Sequence, residues 1–518
     1  MKKVLDRLSD YLWGESFSPW YLIITALIVM FFFLGGRDLW TQETRWANIC
    51  QQMILRQDYF HPFLNNDNYY DKPLLSYWMM IGFSYIFGLG RWALRTPGVI
   101  AGLVTIWCSF KICEILSNKR TGIIAAWMLA TTIIFVYWSR VACADMLNVG
   151  GILLAVTWFL IRRNKLNFIT YFILFLIVTA NSLCKGLVAP IITFLILLPI
   201  ILHDRKWKEY FKPSMFIAAA VMGILYVVPF IISLKTNSIV SYHESGLQEV
   251  FRENIVRYFN PFDHAGPIYT YLLYLPMYSV PWIIFTIIGI YHTVKNWKSV
   301  DFSSRFYVIV LSLVFIFFTC SGSRRSYYVL PMVPLAIFIA ANWINFELNK
   351  KKILQRLISF LILIMAISTI VMNIILTVSE MGGGTYRFAN DLSTVAEEIQ
   401  PLGDWSIVFV GVKEDLARKT AFYFNPVRLP DYFEYKWDEN SNINNLPVKI
   451  DSKSNNILII PQNSFVKYIK NNIDPNKFVV VKFYSTFDDR ITGTDRSKNF
   501  LIGIIPKKNK SSISNLKI

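Results

Sequence analysis

A chain of 518 residues that is 54% hydrophobic and 16% aromatic, with mean hydropathy +0.41, has the composition of a polytopic membrane protein and not of a water-soluble domain. Its net charge of +18 would suit nucleic acid in a soluble protein, but in a membrane chain Lys- and Arg-rich cytoplasmic loops account for it, so nucleic acid is not an expected partner. The cysteines Cys50, Cys108, Cys113, Cys143, Cys184 and Cys320 show no metal-binding spacing, and none lies beyond residue 320 to form a disulfide framework in the polar tail.

The first apolar run, Trp20 to Leu34, has no small-x-small cleavage site and reads as an uncleaved span. Further runs long enough for a hydrocarbon core of about 30 Å lie near 96–115, 121–138, 146–161, 168–184, 187–202, 213–234, 269–292, 305–320, 327–345 and 354–377. Basic clusters set their direction. Lys2, Lys3 and Arg7 precede the first run, and "NKR" (118–120), "RRNK" (162–165), "HDRKWK" (203–208), "KNWK" (295–298) and "NKKK" (349–352) separate later ones. Placing all of these in the cytoplasm fits strict alternation from 96–115 onward. It also means that 74–90 cannot be a single extra crossing; it is an interfacial helix of the first external loop or crosses with a partner. The span count should be odd, about 11 to 13.

The chain turns polar at "MGGGTYRF", residues 381–388. The segment 387–400 has helical spacing, while "SIVFVGV", "NILIIP" and "FVVVKFY" read as short buried strands. The expected organisation is a transmembrane domain over 1–379, with an external loop at 36–95, followed by a soluble α/β domain over 380–518 on the periplasmic side.

With this topology the unusual charges fall on one face of the membrane. Glu43, Arg45, Asp71 and Lys72 belong to the first external loop; Arg140 and Asp145 of "SRVACAD" and Lys185 of "CKG" sit at outer span ends. "RENIVRYFNPFDHAGP" (252–267) adds Arg252, Glu253, Arg257, Asp263 and His264, and "SGSRRSYYVLP" (321–331) adds Arg324, Arg325, Tyr327 and Tyr328. Taken singly, each can be an ion pair or a side chain reaching for the interface. Together, cations framed by aromatics suit an anionic lipid head group, and carboxylates beside them suit sugar hydroxyls or a proton transfer. Transporters concentrate ionisable residues near the midplane and often carry inverted repeats; these charges sit at span ends, and no repeat is visible.

"LWTQETRWANI" (39–49) followed by "NYYDKPLLSYW" (68–78) resembles the first external loop of bacterial GT-C glycosyltransferases, most closely the lipid A aminoarabinose transferases and their protein O-mannosyltransferase relatives. "SRVACADMLNV", "CKGLVAP", "ENIVRYF" with "HAGPIYTYLLYLP", and "SGSRRSYYVLPMVP" follow in the family's order, so the resemblance covers roughly residues 15–345. It implies a donor sugar on undecaprenyl phosphate and a periplasmic-face acceptor in the bacterial inner membrane. Arg45 and Lys72 would face the donor phosphate, joined by Arg257 and Lys185. Glu43 and Asp145 would be the catalytic carboxylates, and Tyr69, Asp71, Arg324, Tyr327 and Tyr328 would contact substrate. Asp71 would orient Lys72 or help bind a cation. No cofactor is required, although Asp71 and His264 leave a divalent metal open, two ligands alone being too few to define a site.

Two departures matter. Gln42 stands where the family usually has Asp, and Asn254 where the aminoarabinose transferases tend to have His. Gln42 cannot serve as a base. A phosphate acceptor needs none, so the expected acceptor is lipid A phosphate, with protein O-glycosylation as the alternative and membrane transport less favoured. One displacement would invert the anomeric carbon.

Overall fold

The computed structural model describes residues 2–14, 16–64, 67–236, 249, 252–261, 264–348, 351–378, 384–424, 434–438, 455–466, 474–483 and 500–507. Asp263 lies outside them. Contacts divide the chain into two compact units: residues 1–32, 69–79 and 95–372 form the first, and 33–68, 80–94 and 373–518 the second. Residues 33–68 and 80–94, read from sequence as a loop of the helical domain, thus group with the tail.

Each apolar run of the sequence appears as helix. Among the described residues six helices are long and apolar enough to cross a membrane: Arg91–Leu116, Asp145–Arg162, Phe168–Lys185, Pro213–Lys235, Phe302–Cys320 and Lys352–Val378. Two bent pairs raise the number to eight, and four shorter apolar helices are Pro19–Phe31, Leu75–Phe87, Val188–Asp204 and Met332–Leu348. On Pro213–Lys235 the side chains of Phe216, Ile217, Ile224 and Leu234 lie open. A helix apolar on its exposed side finds lipid tails and not water. The chain is a multi-span membrane protein.

Two runs that read as continuous spans are broken. The run at 121–138 becomes Lys119–Ala130 and Ile133–Ser139, bent by 69°. At the break, the hydroxyls of Thr131 and Thr132 donate to the carbonyls of Trp127 and Met128, each at 2.7 Å, so side chains compete for the turn's own acceptors. The run at 269–292 becomes Thr270–Tyr278 and Ile283–Lys295, bent by 115°. Pro281 lacks the N–H that a continuing helix needs and disfavours helical backbone before it. One hydrogen bond joins the two breaks: the indole of Trp282, fully buried, donates to the Met128 carbonyl at 2.9 Å.

In the second unit the Thr41–Arg56 helix packs on Glu414–Phe424. Gln51 donates to the Phe422 carbonyl at 3.2 Å, and Asp38 binds Lys419 at 2.5 Å and accepts the Tyr423 hydroxyl. Beyond them is a five-stranded sheet of β1 (Ser406–Val410), β2 (Glu434–Asp438), β3 (Asn456–Pro461), β4 (Phe478–Lys482) and β5 (Leu501–Pro506), in the order β2-β1-β3-β5-β4. β1 runs parallel to β2 and β3, while β5 is antiparallel to both β3 and β4. Strand alternation sends Ile457 and Ile459 to one core with Phe388, Leu392 and Trp405, and Leu458 and Ile460 to another with Phe478 and Ile504. The Gly384–Ile399 helix lies so close on the first face that a Cβ at Gly503 would meet Leu392 at 2.3 Å.

Trp282→Phe should remove the bond between the breaks and leave the Met128 carbonyl buried without that donor. We expect a loss of about 1–3 kcal/mol, read as a lower melting temperature in detergent.

Candidate active site at the ends of the spans

The cleft that gathers most of the predicted charges lies within the first unit. Its walls include Asp71, Lys72, Asp145, Asn148, Lys185, Glu253, Asn254, Arg257, Tyr327 and Tyr328, with Phe317, Phe318, Leu330 and Pro331 as an apolar side. Every contributing helix does so at a terminus. Asp145 is the first residue of Asp145–Arg162 and Lys185 the last of Phe168–Lys185. An acid at an N-terminus and a base at a C-terminus each complement the helix dipole.

Two ion-pair groups fill the cleft. Asp145 pairs with Lys185, whose ammonium also lies 5.7 Å and 5.3 Å from the ring centres of Tyr327 and Tyr328. These distances allow cation–π attraction. In the second group one carboxylate oxygen of Glu253 binds Lys72 at 2.8 Å and Arg257 at 2.6 Å. Arg257 also donates to the Ser323 hydroxyl at 3.2 Å. Burial opposes ionisation of Glu253, but Lys72 and Arg257 outweigh it and hold the carboxyl below its ordinary value of 4.5. Asp71 holds the Lys72 ammonium with its main-chain oxygen at 2.8 Å, so the carbonyl and not the carboxylate does the orienting expected of Asp71.

The loops are fastened to one another. Gly322 donates to the Tyr258 carbonyl and Arg324 N–H to the His264 carbonyl, both at 2.9 Å, with a bridge between Ala265 and Ser323. Arg324 turns its guanidinium to the carbonyls of Thr319 and Gly266, so it clamps the loop. The His264 ring lies against Arg325, and among the described residues no group of three or more His, Cys, Asp or Glu is placed to hold a metal. Arg140 is buried and donates to the Met30 carbonyl at 2.8 Å. Tyr69 is half-buried and its neighbour Tyr70 meets the Ser233 hydroxyl at 3.3 Å.

Glu43 and Arg45 belong to the second unit. Glu43 is fully buried, accepting from Trp40 N–H and Arg37, both at 2.9 Å. In the structure the Glu43 carboxylate closes the first turn of the Thr41–Arg56 helix, where the acid of a capping box stands. Arg45 lies beside Asp415, whose carboxyl is pushed up by burial and partly brought back by Arg45.

Three residues went unassigned in the sequence reading. Glu253 was seen only as one of many loop charges, yet its spacing of four from Arg257 on a helical turn was the available signal. Asn148 lies one turn beyond Asp145 and is 2% exposed, with its amide oxygen unpartnered among the described residues. Asn254, the departure from His, accepts the Leu187 N–H at 2.8 Å and so secures the turn after Lys185.

Residues 71–232 match the model of the dolichyl-phosphate-mannose-protein mannosyltransferase family. An undecaprenyl phosphate-alpha-4-amino-4-deoxy-L-arabinose arabinosyl transferase of Shewanella sediminis is 23% identical over 344 residues, 63% of this chain and 61% of that protein. Its counterpart in Yersinia enterocolitica is 26% identical over 334 residues, 61% of this chain and 58% of that protein. The chain thus spans about three fifths of the length of the curated relatives it matches. The crystal structure of ArnT from Cupriavidus metallidurans bound to undecaprenyl phosphate superposes with TM-score 0.69 at 14% identity, covering 96% of this chain and 99% of that one. The chain thus shares the fold of that ArnT structure. An oligosaccharyltransferase of Archaeoglobus fulgidus, in complex with Zn and sulfate, shares it more distantly, with TM-score 0.52 at 14% identity over 89% of this chain and 67% of that one. In sequence and fold the chain resembles the lipid A aminoarabinose transferases.

Gly186, at φ +97°, has no room for a side chain: a Cβ there would meet the Asn254 amide oxygen at 2.4 Å. Gly186→Ala should destabilise the protein by about 1–3 kcal/mol, measured as a lower melting temperature.

Proposed function

We propose that this protein transfers a sugar from undecaprenyl phosphate to an acceptor at the outer face of the bacterial inner membrane, with a lipid A phosphate as the acceptor. The observation that carries the reading is the convergence of Lys72, Lys185 and Arg257 in one cleft at the span ends, beside an apolar wall. The lipid phosphate leaves as the glycosidic bond breaks, and negative charge grows on its bridging oxygen. Lys72 and Arg257 meet that charge in a site of low dielectric, where fixed cations act most strongly. Asp145 and Asn148 accept from sugar hydroxyls, Lys185 is held between Asp145 and the tyrosine rings, and Tyr327 and Tyr328 pack against the sugar. The acceptor phosphate is anionic at neutral pH and attacks from the side opposite the leaving group, inverting the anomeric carbon.

A second acceptor class, protein hydroxyls, draws support from the mannosyltransferase model over 71–232. Mass spectrometry of lipid A and of envelope proteins, from cells with and without the gene, separates the two. A sugar mass lost from lipid A on deletion supports the first reading; one lost only from protein supports the second.

Lys72→Met should abolish transfer, and Asp145→Asn should lower it roughly tenfold or more through a lost charged hydrogen bond to the sugar, each with a lower melting temperature because a buried partner is left unpaired. Activity of the lysine variant within a few-fold of wild type would remove Lys72 from the donor site.

The topology has its own test. Cys320 is the exposed cysteine among the described residues, so Cys320→Ser gives a quiet background for a membrane-impermeant maleimide. In intact spheroplasts Glu398→Cys should label and Lys298→Cys should not; both residues are exposed. Labelling of both, or of Lys298→Cys alone, would refute a periplasmic tail.

A further inference from the structure

The cleft walls carry three cations, Lys72, Lys185 and Arg257, and three carboxylates, Asp71, Asp145 and Glu253. Glu253 has a distinct position among them. A single oxygen of its carboxylate receives both Lys72 and Arg257, at 2.8 Å and 2.6 Å, and its side chain is 8% exposed. One anionic oxygen held between an ammonium and a guanidinium is how a phosphate oxygen would be gripped there. The segment Arg252–Val256 that presents Glu253 is a π-helical turn, a rare backbone form that recurs at functional sites.

We propose that Glu253 is a resident substitute for the donor phosphate: it holds Lys72 and Arg257 in position in the empty site, yields them when the lipid phosphate enters, and reclaims them as the product leaves. This rests on the reading that Lys72 and Arg257 bind that phosphate. The charges make the exchange even-handed on entry. A sugar linked to a lipid phosphate is a diester with one negative charge, and it replaces a carboxylate with one negative charge. After transfer the phosphate is a monoester carrying about −1.5 to −2 near neutral pH, which the two cations would retain too strongly. A carboxylate tethered on the same turn as Arg257 competes for them at high local concentration and assists release. Glu253 is therefore a positioning residue, whose work is to set how tightly the phosphate is held.

The test uses the wild-type protein and undecaprenyl phosphate itself. A water-soluble carbodiimide joins a lysine to a carboxylate only where they touch, so it should link Lys72 to Glu253 in the lipid-free protein, detected by peptide mass spectrometry. Saturating undecaprenyl phosphate should suppress the link. Failure of the link to form without lipid, or its persistence when a thermal shift shows that the lipid is bound, would overturn the proposal. In equilibrium binding, Glu253→Gln should hold undecaprenyl phosphate roughly tenfold more tightly, the worth of a competing charged hydrogen bond. Unchanged or weaker binding by a variant of wild-type melting temperature would mean that Glu253 only braces the loop. Absence of any binding of undecaprenyl phosphate by the wild type would instead refute the phosphate site, and the proposal with it.

Discussion

Glu253 bridges Lys72 to Arg257, two cations 185 residues apart in sequence, and the rest of the cleft follows from that bridge. A lone charge at the end of an apolar bundle would lose its hydration without recompense, and the cost of an unpaired buried ion is several kcal/mol. Pairing therefore selects the loop arrangement. Lys72 brings in the segment before the Leu75–Phe87 helix, Arg257 brings in Ser323, and through Ser323 the loop that carries Tyr327 and Tyr328. The second pair, Asp145 with Lys185, fixes two helix ends at the same cleft. Asn254, adjacent to the bridging carboxylate, fastens the turn beyond Lys185.

A fold held this way can persist while its sequence drifts. The ArnT structure matches 96% of the chain at 14% identity. Most of a span needs only apolar residues of suitable volume, and cores accept wide exchange among these. The demands are stricter where elements approach closely, as at Gly186, where no side chain fits beside Asn254.

The spans were legible because hydropathy acts over whole turns, and the charges because they stand at the ends of apolar runs. Asp71, Lys72, Asp145, Lys185, Arg257, Tyr327 and Tyr328 do meet in one cleft. The bends at 131–132 and 279–282 were not legible, since an average over a window does not register two threonine hydroxyls or one proline. Glu43 and Arg324 were not separable by residue type for a different reason. A buried carboxylate that caps a helix and an arginine that binds carbonyls use the same residue types as a substrate site, and only the partners tell them apart. In the tail, β1, β3 and β4 showed as apolar runs, whereas β2, "EYKWD", carries too many charged residues to be recognised without its neighbour.

The strand order of the tail has a consequence for biosynthesis. β5 is made after β3 and β4 but lies between them, so β4 has no partner, and β3 has β1 on one edge alone, until residues 501–506 have left the ribosome. Until then β3 presents an open, strongly apolar edge, "NILIIP", of the kind that recruits other chains. The nascent tail therefore needs shielding during translation, and a ribosome stalled anywhere between β4 and β5 would release a sticky fragment suited to proteolytic clearance.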